Sequence, residues 1–515
     1  MKKLSTWSII FISTGGMIGS GWLFAPYYGY QTAGVGVIFS WLITALLTLF
    51  VAVCFAEVAS MLPIVSGAMR FLKITHSRSL GFLFVVLGWI SYLVYLPLEA
   101  QSVVQYLGFW FPKLVDDSNS SGVLLSYFGV SIAFFIMVGV TILNTYQLKN
   151  VAKVNNIVSV WKIFLPIAIS VGMLAFYGSF DNFTHNTSST SISFETILLA
   201  ITGSGLAFAF SGFQNGLVVA NSAKNPKVAI PLSLFAPVVV GLTMYLSLSL
   251  LFMFCLPESA DHLAVDVAPL LGLLSLFSLH FIYTVLFIDA IVAPLGTSNV
   301  YAAVTGRVLQ AFGLEFLKKS ILTKLNKHAV PVYCIWINFF IGLIFLLQFP
   351  TWTELVSFLS SLVLFSCLSG PVVLIIFRDK FPQMNRKFKL PFHKLFGYLG
   401  FISCSYFIYW SGTNNLMYLS ILVVFVIAFY WFVFERKNFV KIFKQVWFVC
   451  AYIITLWLIS FVHELGCVAF PYDNLIVALI GILFLRIFIS HQAPINTIGD
   501  NLNLTLNEIN KLESC

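Results

Sequence analysis

The chain has 515 residues, of which 59% are hydrophobic and only 9% are charged, and phenylalanine alone supplies 53 positions. A water-soluble protein of this length needs far more charge to cover its surface, so the composition excludes a string of soluble domains. The formal net charge of +9 would suit an acidic partner such as nucleic acid, but the placement of the basic residues gives it a different meaning.

The hydrophobic residues recur in runs of about 20, each long enough to cross a bilayer core of about 30 Å. This pattern predicts an all-α polytopic membrane protein of the plasma (inner) membrane, with the lipid bilayer around it. The third and eighth runs are longer than the others, so we expect them to tilt or to extend beyond the membrane. The apolar windows predict about fourteen transmembrane helices, which lie near residues 6–28, 34–60, 80–111, 122–143, 156–178, 194–220, 230–256, 266–303, 330–350, 353–377, 395–411, 415–434, 445–463 and 470–489.

The lysines and arginines indicate how these spans are oriented. They cluster on alternate loops, for example at 70–78 and 378–394, whereas the other loops carry acids such as Asp116 and Glu464. This positive-inside pattern predicts that both termini are cytoplasmic and supports an even number of spans, with no hint of nucleic-acid binding. The polar residues 491–515 are predicted to form a loosely ordered cytoplasmic tail.

Glycines interrupt two of the predicted spans at corresponding places. The first span contains "STGGMIGSG" at 13–21, and the sixth span contains "ITGSGLAFAFSGF" at 201–213. Glycine weakens a helix by roughly 1 kcal/mol relative to alanine, and broken spans in matching positions are typical of transporters built from inverted repeats. We therefore predict a transport core of five plus five inverted spans over 1–390, followed by four additional helices over 391–490. The alternative is that the glycines serve close helix packing.

An unwound turn inside the membrane frees backbone groups, each of which costs several kcal/mol when it is left unpaired. The N–H groups freed near 15–21, at the positive end of the following half-helix, suit a carboxylate. Carbonyl groups freed in the sixth span suit an ammonium group in the same way. Donors at one end and acceptors at the other predict a zwitterionic substrate, an α-amino acid.

Several separate stretches resemble the amino acid–polyamine–organocation (APC) superfamily, and specifically its bacterial amino acid permeases, over roughly residues 5–435. They read "GGMIGSGWLFAP" in the first span, "FAEVASMLPIVSGAMRF" at the end of the second, "FAFSGFQNGLVVANSAKNPKVAIP" from the sixth and "DAIVAPLGTSNVYAAVTGRVL" in the eighth. Within that family, "PLEAQSVVQYL" and Gln214 look most like the subgroup of aspartate–proton symporters. The resemblance implies a LeuT-like fold, alternating access and amino acid transport.

The resemblance also implies which residues hold the substrate. In the first span, the residues that match the carboxylate-binding turn are Met17, Gly19, Ser20 and Gly21. In the sixth span, the residues that match the amine-binding turn, where the aromatic ring also gates the substrate, are Phe208, Ala209, Ser211 and Gly212. Many relatives carry an acid at the position of Gln214 and another within the stretch that reads "ANSAKNP" here. This chain lacks both acids, so neither of them can couple transport to protons in this protein.

Ionisable groups inside the membrane cost at least about 2.5 kcal/mol, which makes them candidates for function. Lys162 lies in the fifth span, and burial disfavours the charged form of a lysine. The resemblance implies that Lys162 takes the place of sodium in sodium-coupled relatives and carries the coupled proton. The alternative is a side chain that snorkels to the cytoplasmic face. Asp289 in the eighth span could partner Lys162, because the implied fold places spans five and eight beside the same cation position, or it could serve a structural helix contact.

Two further acids lie in predicted spans. Glu99 is in the third span, which lines the substrate cavity in the family, so Glu99 could hold a proton during transport or recognise a cationic side chain. The alternative is a carboxyl group that stays neutral or hydrogen-bonded within the bundle. Glu57 ends the second span near the cytoplasm, and we interpret it as part of a gate or a structural pair rather than as a ligand.

These patterns favour a secondary active transporter that carries an amino acid together with protons. An exchanger of an amino acid for its metabolite or amine stays open because of Glu99, and a membrane sensor that binds an amino acid is a further alternative. We predict no enzyme activity, cofactor or metal: His463–Glu464 lacks the second histidine of a zinc motif, and "GSGLAFAFSG" lacks the lysine of a phosphate loop. The identity of the amino acid and the oligomeric state stay open.

Overall fold

The computed structural model describes residues 4–514, except for 65–66, 117–121, 147–150, 190–192, 219–222, 258–261, 278, 318–319 and 387. In this part of the chain the regular structure is helical. Pairing of the β type is confined to the isolated bridges Leu4–Ala223, Val115–Leu125 and Leu124–Thr351. The predicted all-α class is therefore confirmed.

Polar residues at helix starts explain where several helices of the first half begin. The side chains of Ser5, Ser77 and Ser126 each accept the amide of the third residue that follows, which satisfies a donor that has no partner within the helix. The helices of this half are α1 (Thr6–Met17), α2 (Gly21–Ala33), α3 (Val37–Met61), α4 (Gly67–Thr75), α5 (Arg78–Leu93), α6 (Tyr95–Gly108), α7 (Tyr127–Thr145), α8 (Val151–Tyr177), α9 (Phe180–Ser189), α10 (Phe194–Gly203), α11 (Leu206–Phe210) and α12 (Asn215–Val218).

In the second half, Pro226 and Pro269 each occupy the first position of a helix, where proline lacks an amide that would be unpaired in any case. The helices of this half are α13 (Pro226–Cys255), α14 (His262–Val267), α15 (Pro269–Ser275), α16 (His280–Phe316), α17 (Val332–Gln348), α18 (Trp352–Cys367), α19 (Ser369–Lys380), α20 (His393–Tyr409), α21 (Thr413–Phe434), α22 (Phe439–Glu464), α23 (Tyr472–Ser490) and α24 (Ile495–Ser514). Short 3₁₀ turns cover Gly34–Gly36, Pro112–Leu114 and Ile321–Thr323.

The described residues contain ten helical stretches that are long and apolar enough to cross a membrane, or eleven when the bent pair Phe194–Gly203 and Leu206–Leu217 counts as one span. The prediction of fourteen includes three regions that do not meet this length as single helices. The first span is split between α1 and α2, and α17 and α20 have 17 residues each. The chain is a multi-pass membrane protein, while the count of fourteen, the inverted repeat and the cytoplasmic termini stay predictions.

Two long helices organise the packing around the breaks. Helix α13 packs against α1, α3 and α8, and α16 packs against α6. The helices after residue 390 join this bundle through α20, which packs against both α3 and α23. The elements that carry the predicted site residues (α1, α2, α6, α8, α11 and α16) therefore lie in one continuous bundle, whereas the boundary between the core and the additional helices stays a prediction.

The segment that the sequence predicts as a loosely ordered tail differs in the structure. Residues Ile495–Ser514 form a helix that packs against α4. Its side chains Ile498 and Leu502, four residues apart, are 0% and 5% exposed. Two apolar residues at this spacing lie on the same face of a helix, so a mostly polar segment can still hold one buried stripe.

Candidate substrate and proton site

The first span is interrupted where its glycines predict a break. Helix α1 ends at Met17 and α2 begins at Gly21, and Ile18 between them has φ −85° and ψ 81°. The break leaves the carbonyl oxygen of Ile18 and the amide of Ser20 outside the hydrogen-bond ladder of either helix. Both groups are therefore available to side chains from other helices.

The sixth span is broken at two points. The chain bends by 56° between Phe194–Gly203 and Leu206–Leu217, with Gly205 at φ +83°. It turns again at Gly212, where φ is +107°. Glycine adopts such angles without the clash that a side chain would cause, so the backbone itself requires these two glycines.

The two broken spans touch each other at their breaks. A Cβ atom at Gly212 would lie 2.9 Å from the Met17 backbone, and one at Gly21 would lie 3.1 Å from the Cα of Ala209. The predicted carboxylate-binding and amine-binding turns are thus brought together. The close-packing interpretation of the glycines also holds, since the same residues serve both the breaks and the contact.

Glu99 lies against the first break, on α6. It is 0% exposed, and its Oε1 accepts the Ser20 amide at 3.3 Å. A Cβ atom at Gly19 would overlap this carboxylate. The other oxygen, Oε2, has no hydrogen-bond partner among the described residues. A carboxylate of the protein therefore occupies the backbone donor that the sequence predicts for the carboxylate of the substrate.

Lys162 reaches the opposite side of the same break. Its side chain is 2% exposed, and Nζ donates to the carbonyl of Ile18 at 3.0 Å and to the Thr297 hydroxyl at 2.8 Å. Thr297 lies on α16, so the ammonium joins three elements: the break, α8 and α16. The side chain points into the bundle, in contrast to the snorkelling alternative.

The acidic groups that interact electrostatically with Lys162 are Glu99 and Asp289. Asp289 lies on α16, two turns before Thr297, and is 2% exposed. The Trp161 side chain lies beside its carboxyl group. Lys162, Glu99 and Asp289 are thus three buried ionisable groups that belong to three different helices, α8, α6 and α16.

Aromatic rings surround the meeting point of the breaks. The rings of Tyr95 and Tyr301 stack with their centroids 3.6 Å apart, and Phe208 lies 5.6 Å from Tyr95 and 5.9 Å from Trp352. Trp352 also donates its indole N–H to the hydroxyl of Ser20 at 3.0 Å. Phe208 is therefore one member of an aromatic wall that covers the first break.

Gln214 and Asn215 follow the second break and stabilise it. Gln214 Oε1 accepts the Gly212 amide at 3.1 Å, and Asn215 donates to the Tyr301 hydroxyl at 2.9 Å. Ser211, which the resemblance places at the amine-binding turn, donates its hydroxyl to Ala207 in the preceding turn. Its side chain is therefore engaged within its own segment.

On one side of the breaks, helix α14 closes over α2. The side chain of Asp266 on α14 accepts the Tyr27 hydroxyl at 2.7 Å and the Gln31 amide at 2.9 Å, and its carbonyl accepts the Tyr28 hydroxyl at 3.0 Å. This is the side that the positive-inside pattern predicts to be extracellular. Helix α14, which we call the lid, is thus joined to α2 by these polar contacts.

On the opposite side, Glu57 of α3 forms a buried ionic cluster. Its Oε1 lies 2.7 Å from Arg378 Nε and 3.1 Å from Arg386 Nε, and its Oε2 also accepts the Leu390 amide at 2.8 Å. The interpretation of Glu57 as a gate or structural pair agrees with this geometry. The cluster joins the end of α3 to the end of α19 and to the segment that follows.

The sequence identifies the charged residues and the glycine breaks of this site, but it does not identify several other side chains that line it. The residues that it does not name are Tyr95, Thr297, Tyr301 and Trp352. Thr297 lies within the quoted stretch of the eighth span, so its spacing from Asp289 could have identified it. The two tyrosines and Trp352 stand among many other aromatic residues in apolar runs, and only three-dimensional contact distinguishes them.

Comparison with known proteins gives a consistent set of relatives. Residues 4–427 match the family described as amino acid permease. The chain is 28% identical over 505 residues to the glutamate/serine transporter AimA of Bacillus subtilis (strain 168), covering 94% of this chain and 92% of that protein. It is 29% identical over 498 residues to the aspartate-proton symporter of the same organism, covering 93% of this chain and 94% of the relative. The branched-chain amino acid permease BcaP of Lactococcus lactis subsp. cremoris (strain MG1363) is 24% identical over 437 residues, or 80% and 89% of the two chains.

Proposed function

Since the chain belongs to the amino acid permease family and is a membrane transporter rather than an enzyme, we propose that it carries an amino acid inward by alternating access, in symport with protons. The substrate binds where the two broken spans meet. The lid of α14 and the Glu57 cluster are the two closures that open in turn.

The observation that carries the proposal is the contact of Lys162 with the first break. A protonated Lys162 donates to the carbonyl of Ile18 and to Thr297, both of them oxygen ligands of the kind that a sodium ion would take. A neutral amine attracts that carbonyl far less, because a charge-assisted hydrogen bond is about twice as strong as a neutral one. Protonation of Lys162 therefore changes how firmly the break is held to α8 and α16.

Glu99 links the substrate to the proton in this proposal. Its carboxylate accepts the Ser20 amide, which is also the donor proposed for the substrate carboxylate. Two carboxylates repel each other at one donor, whereas a protonated Glu99 is a weaker acceptor and carries no charge. A proton on Glu99 thus releases the Ser20 amide to the substrate, and proton and amino acid enter together.

At the other end of the substrate, we assign the ammonium group to the turn over Phe208–Gly212, with Phe208 and Trp352 as the rings that close over it. The side chain of the substrate faces the remaining wall, where Tyr95 and Tyr301 stack. The relatives named as a glutamate/serine transporter and as an aspartate-proton symporter make aspartate, glutamate and serine the first substrates to test.

The buried carboxylate of Glu99 also favours a second candidate, the exchange of an amino acid for an amine. An acid that stays charged would bind the ammonium of a cationic substrate instead of releasing a donor. In that case the substrate itself would supply the positive charge, and transport would need an amino acid or amine on both sides. A sensor that binds an amino acid without moving it is the remaining alternative.

Uptake by proteoliposomes distinguishes these candidates. The purified full chain is reconstituted in sodium-free buffer, and labelled aspartate, glutamate and serine are supplied with and without an inward proton gradient. We expect gradient-driven uptake by the wild type and at least a tenfold loss in Lys162→Ala. Lys441→Ala, which removes an exposed lysine, should transport like the wild type.

Two results would overturn the proposal. Uptake that requires internal amino acid or amine and ignores the proton gradient would establish exchange. Saturable binding to the purified protein with no uptake under any gradient would establish the sensor.

A further inference from the structure

A second cavity lies between the first half of the sixth span and the additional helices. It has a volume of about 370 Å³ and is lined by residues of α10, the end of α20, α22 and the start of α23. On the predicted topology it opens to the extracellular side. Neither the proposed transport path nor the family resemblance uses it.

Three acids face this cavity: Glu195 of α10, Glu464 of α22 and Asp473 of α23. None of the described residues that line it is a lysine or an arginine. Glu195 is about half exposed and Glu464 is exposed, so they stand at the mouth. The cavity is therefore negatively charged, with its charge divided between the opening and the interior.

Asp473 marks the inner end of the cavity. It is 3% exposed, and its Oδ2 accepts the Tyr409 hydroxyl at 2.8 Å and the Asn474 amide at 2.9 Å. Its Oδ1 is buried and has no hydrogen-bond partner among the described residues. Buried carboxylate oxygens are normally paired, so the donor of a bound ligand would satisfy this oxygen.

Besides the three acids and Tyr409, the described residues that line the cavity include one titratable side chain, that of His463. Its Nδ1 lies 2.9 Å from the carbonyl of Val468, which assigns the proton of a neutral ring to that nitrogen. Its Nε2 lies 3.8 Å from Oε1 of Glu195, and its Nδ1 lies 3.8 Å from Oδ2 of Asp473. Both distances are too long for hydrogen bonds. Oδ1 of Asp473 thus has no hydrogen bond from His463.

The remaining lining narrows the class of ligand. Tyr409, Trp410 and Phe470 supply aromatic walls, which favour a cation with an apolar body. In the described part of the chain, no group of three histidine, cysteine or acidic side chains is arranged to hold a metal ion. The free oxygen of Asp473 accepts hydrogen bonds, so the cation must carry N–H groups.

We propose that this cavity binds a small organic primary amine in its ammonium form. The ammonium donates to Oδ1 of Asp473, its charge is compensated by Asp473 and Glu195, and its apolar body lies against Tyr409 and Trp410. Because Glu195 belongs to α10 and Asp473 to α23, the bound amine contacts both the broken sixth span and the additional helices.

Calorimetric titration of the purified full chain with benzylamine tests this site directly and requires no transport. We expect saturable binding to the wild type and at least tenfold weaker binding to Asp473→Asn. Glu195→Gln should also weaken benzylamine binding. Because the Glu195 side chain is about half exposed, this substitution should leave the fold intact, so weaker binding would not be explained by misfolding. The matched control, Asp116→Asn, removes an exposed acid outside the cavity and should bind like the wild type.

Neutral benzyl alcohol serves as the isostere without charge, and sodium chloride as a competing inorganic cation. The proposal is overturned if the wild type does not bind benzylamine or if both cavity variants bind it unchanged. It is equally overturned if benzyl alcohol binds as well, if sodium competes as effectively as amines at equal ionic strength, or if a transported amino acid displaces benzylamine competitively. The last result would assign the amine to the transport site instead.

Discussion

At the scale of single residues, Gly19 shows why the first break tolerates no side chain. The residue lies between the carbonyl that receives Lys162 and the amide that Glu99 accepts, and a Cβ atom there would overlap the Glu99 carboxylate. Glu99 cannot move freely, because it is fully buried. A methyl group at position 19 must therefore displace either the break or the acid.

We expect Gly19→Ala to lower amino acid uptake in proteoliposomes at least tenfold. The control is Gly139→Ala on α7, where an added Cβ atom meets no atom within 4 Å, and it should retain uptake close to that of the wild type. Both variants are compared at equal amounts of correctly eluting protein. Normal uptake by Gly19→Ala would show that the Glu99 contact plays no part in transport.

Also at the residue scale, the sequence allows us to predict which types of residue form the site, but not which of them are in contact. The unusual residues, a lysine and acids inside apolar runs and glycines inside helices, stand out because each carries an energetic cost. Lys162 and Ile18 are distant in sequence, so their contact could not be read from spacing. Aromatic residues such as Trp352 and Tyr301 carry no energetic penalty in a membrane. Nothing in the neighbouring sequence distinguishes these two from the other aromatic residues of the chain.

At the scale of elements, the Glu57 cluster is the strongest polar connection that we describe between α3 and α19. Glu57 is 1% exposed and contacts both Arg378 and Arg386. Removing one partner of a buried ion pair leaves uncompensated charge, which costs about 3–5 kcal/mol. Loss of the Glu57 charge would leave the two arginine side chains without their carboxylate partner.

Glu57→Gln should accordingly lower the temperature of thermal unfolding of the purified protein by a clearly measurable amount. Asp379→Asn is the matched control: it removes a 40% exposed acid that lies 3.6 Å from the exposed Lys394, a surface pair that contributes at most about 1 kcal/mol. Equal unfolding temperatures for the two variants would contradict a stabilising role for the cluster.

The docking of α24 is a second property of an element. Its stripe of Ile498 and Leu502 is buried, whereas Leu504 is 64% exposed. Ile498→Asp places a charge in this contact and should release the helix, so that limited proteolysis cleaves the region after residue 490 several times faster than in the wild type. Leu504→Asp should be cleaved at the wild-type rate. Equal cleavage of both variants would mean that the stripe does not hold the helix.

The tail also shows a limit of reading elements from composition. Its low hydrophobicity predicts a loosely ordered segment, but the segment forms a helix that buries Ile498 and Leu502 on one face. The long apolar spans are easier to predict, because length and hydropathy alone determine that they cross the membrane. Broken or short helices such as α1 and α17 need the surrounding bundle to define them.

At the scale of the whole molecule, two broken helices form the centre of a bundle that is closed on both sides by polar contacts. Asp266 connects α14 to α2 on one side, and Glu57 connects α3 to α19 on the other. Alternating access requires that each closure opens while the other stays shut. In our proposal, protonation of Lys162 and Glu99 acts at the breaks between these two closures and so biases both of them at once.

The central claim is that protons move together with the amino acid. The most direct measurement follows the pH inside proteoliposomes with an enclosed indicator, at equal initial pH on both sides and with valinomycin and potassium to remove any membrane potential. A transported amino acid that carries a label is then added outside. We predict that the lumen of wild-type vesicles acidifies while the labelled amino acid accumulates, and that Lys162→Ala vesicles show neither acidification nor accumulation. Uptake with a constant internal pH, or acidification by Lys162→Ala equal to that of the wild type, would contradict the account.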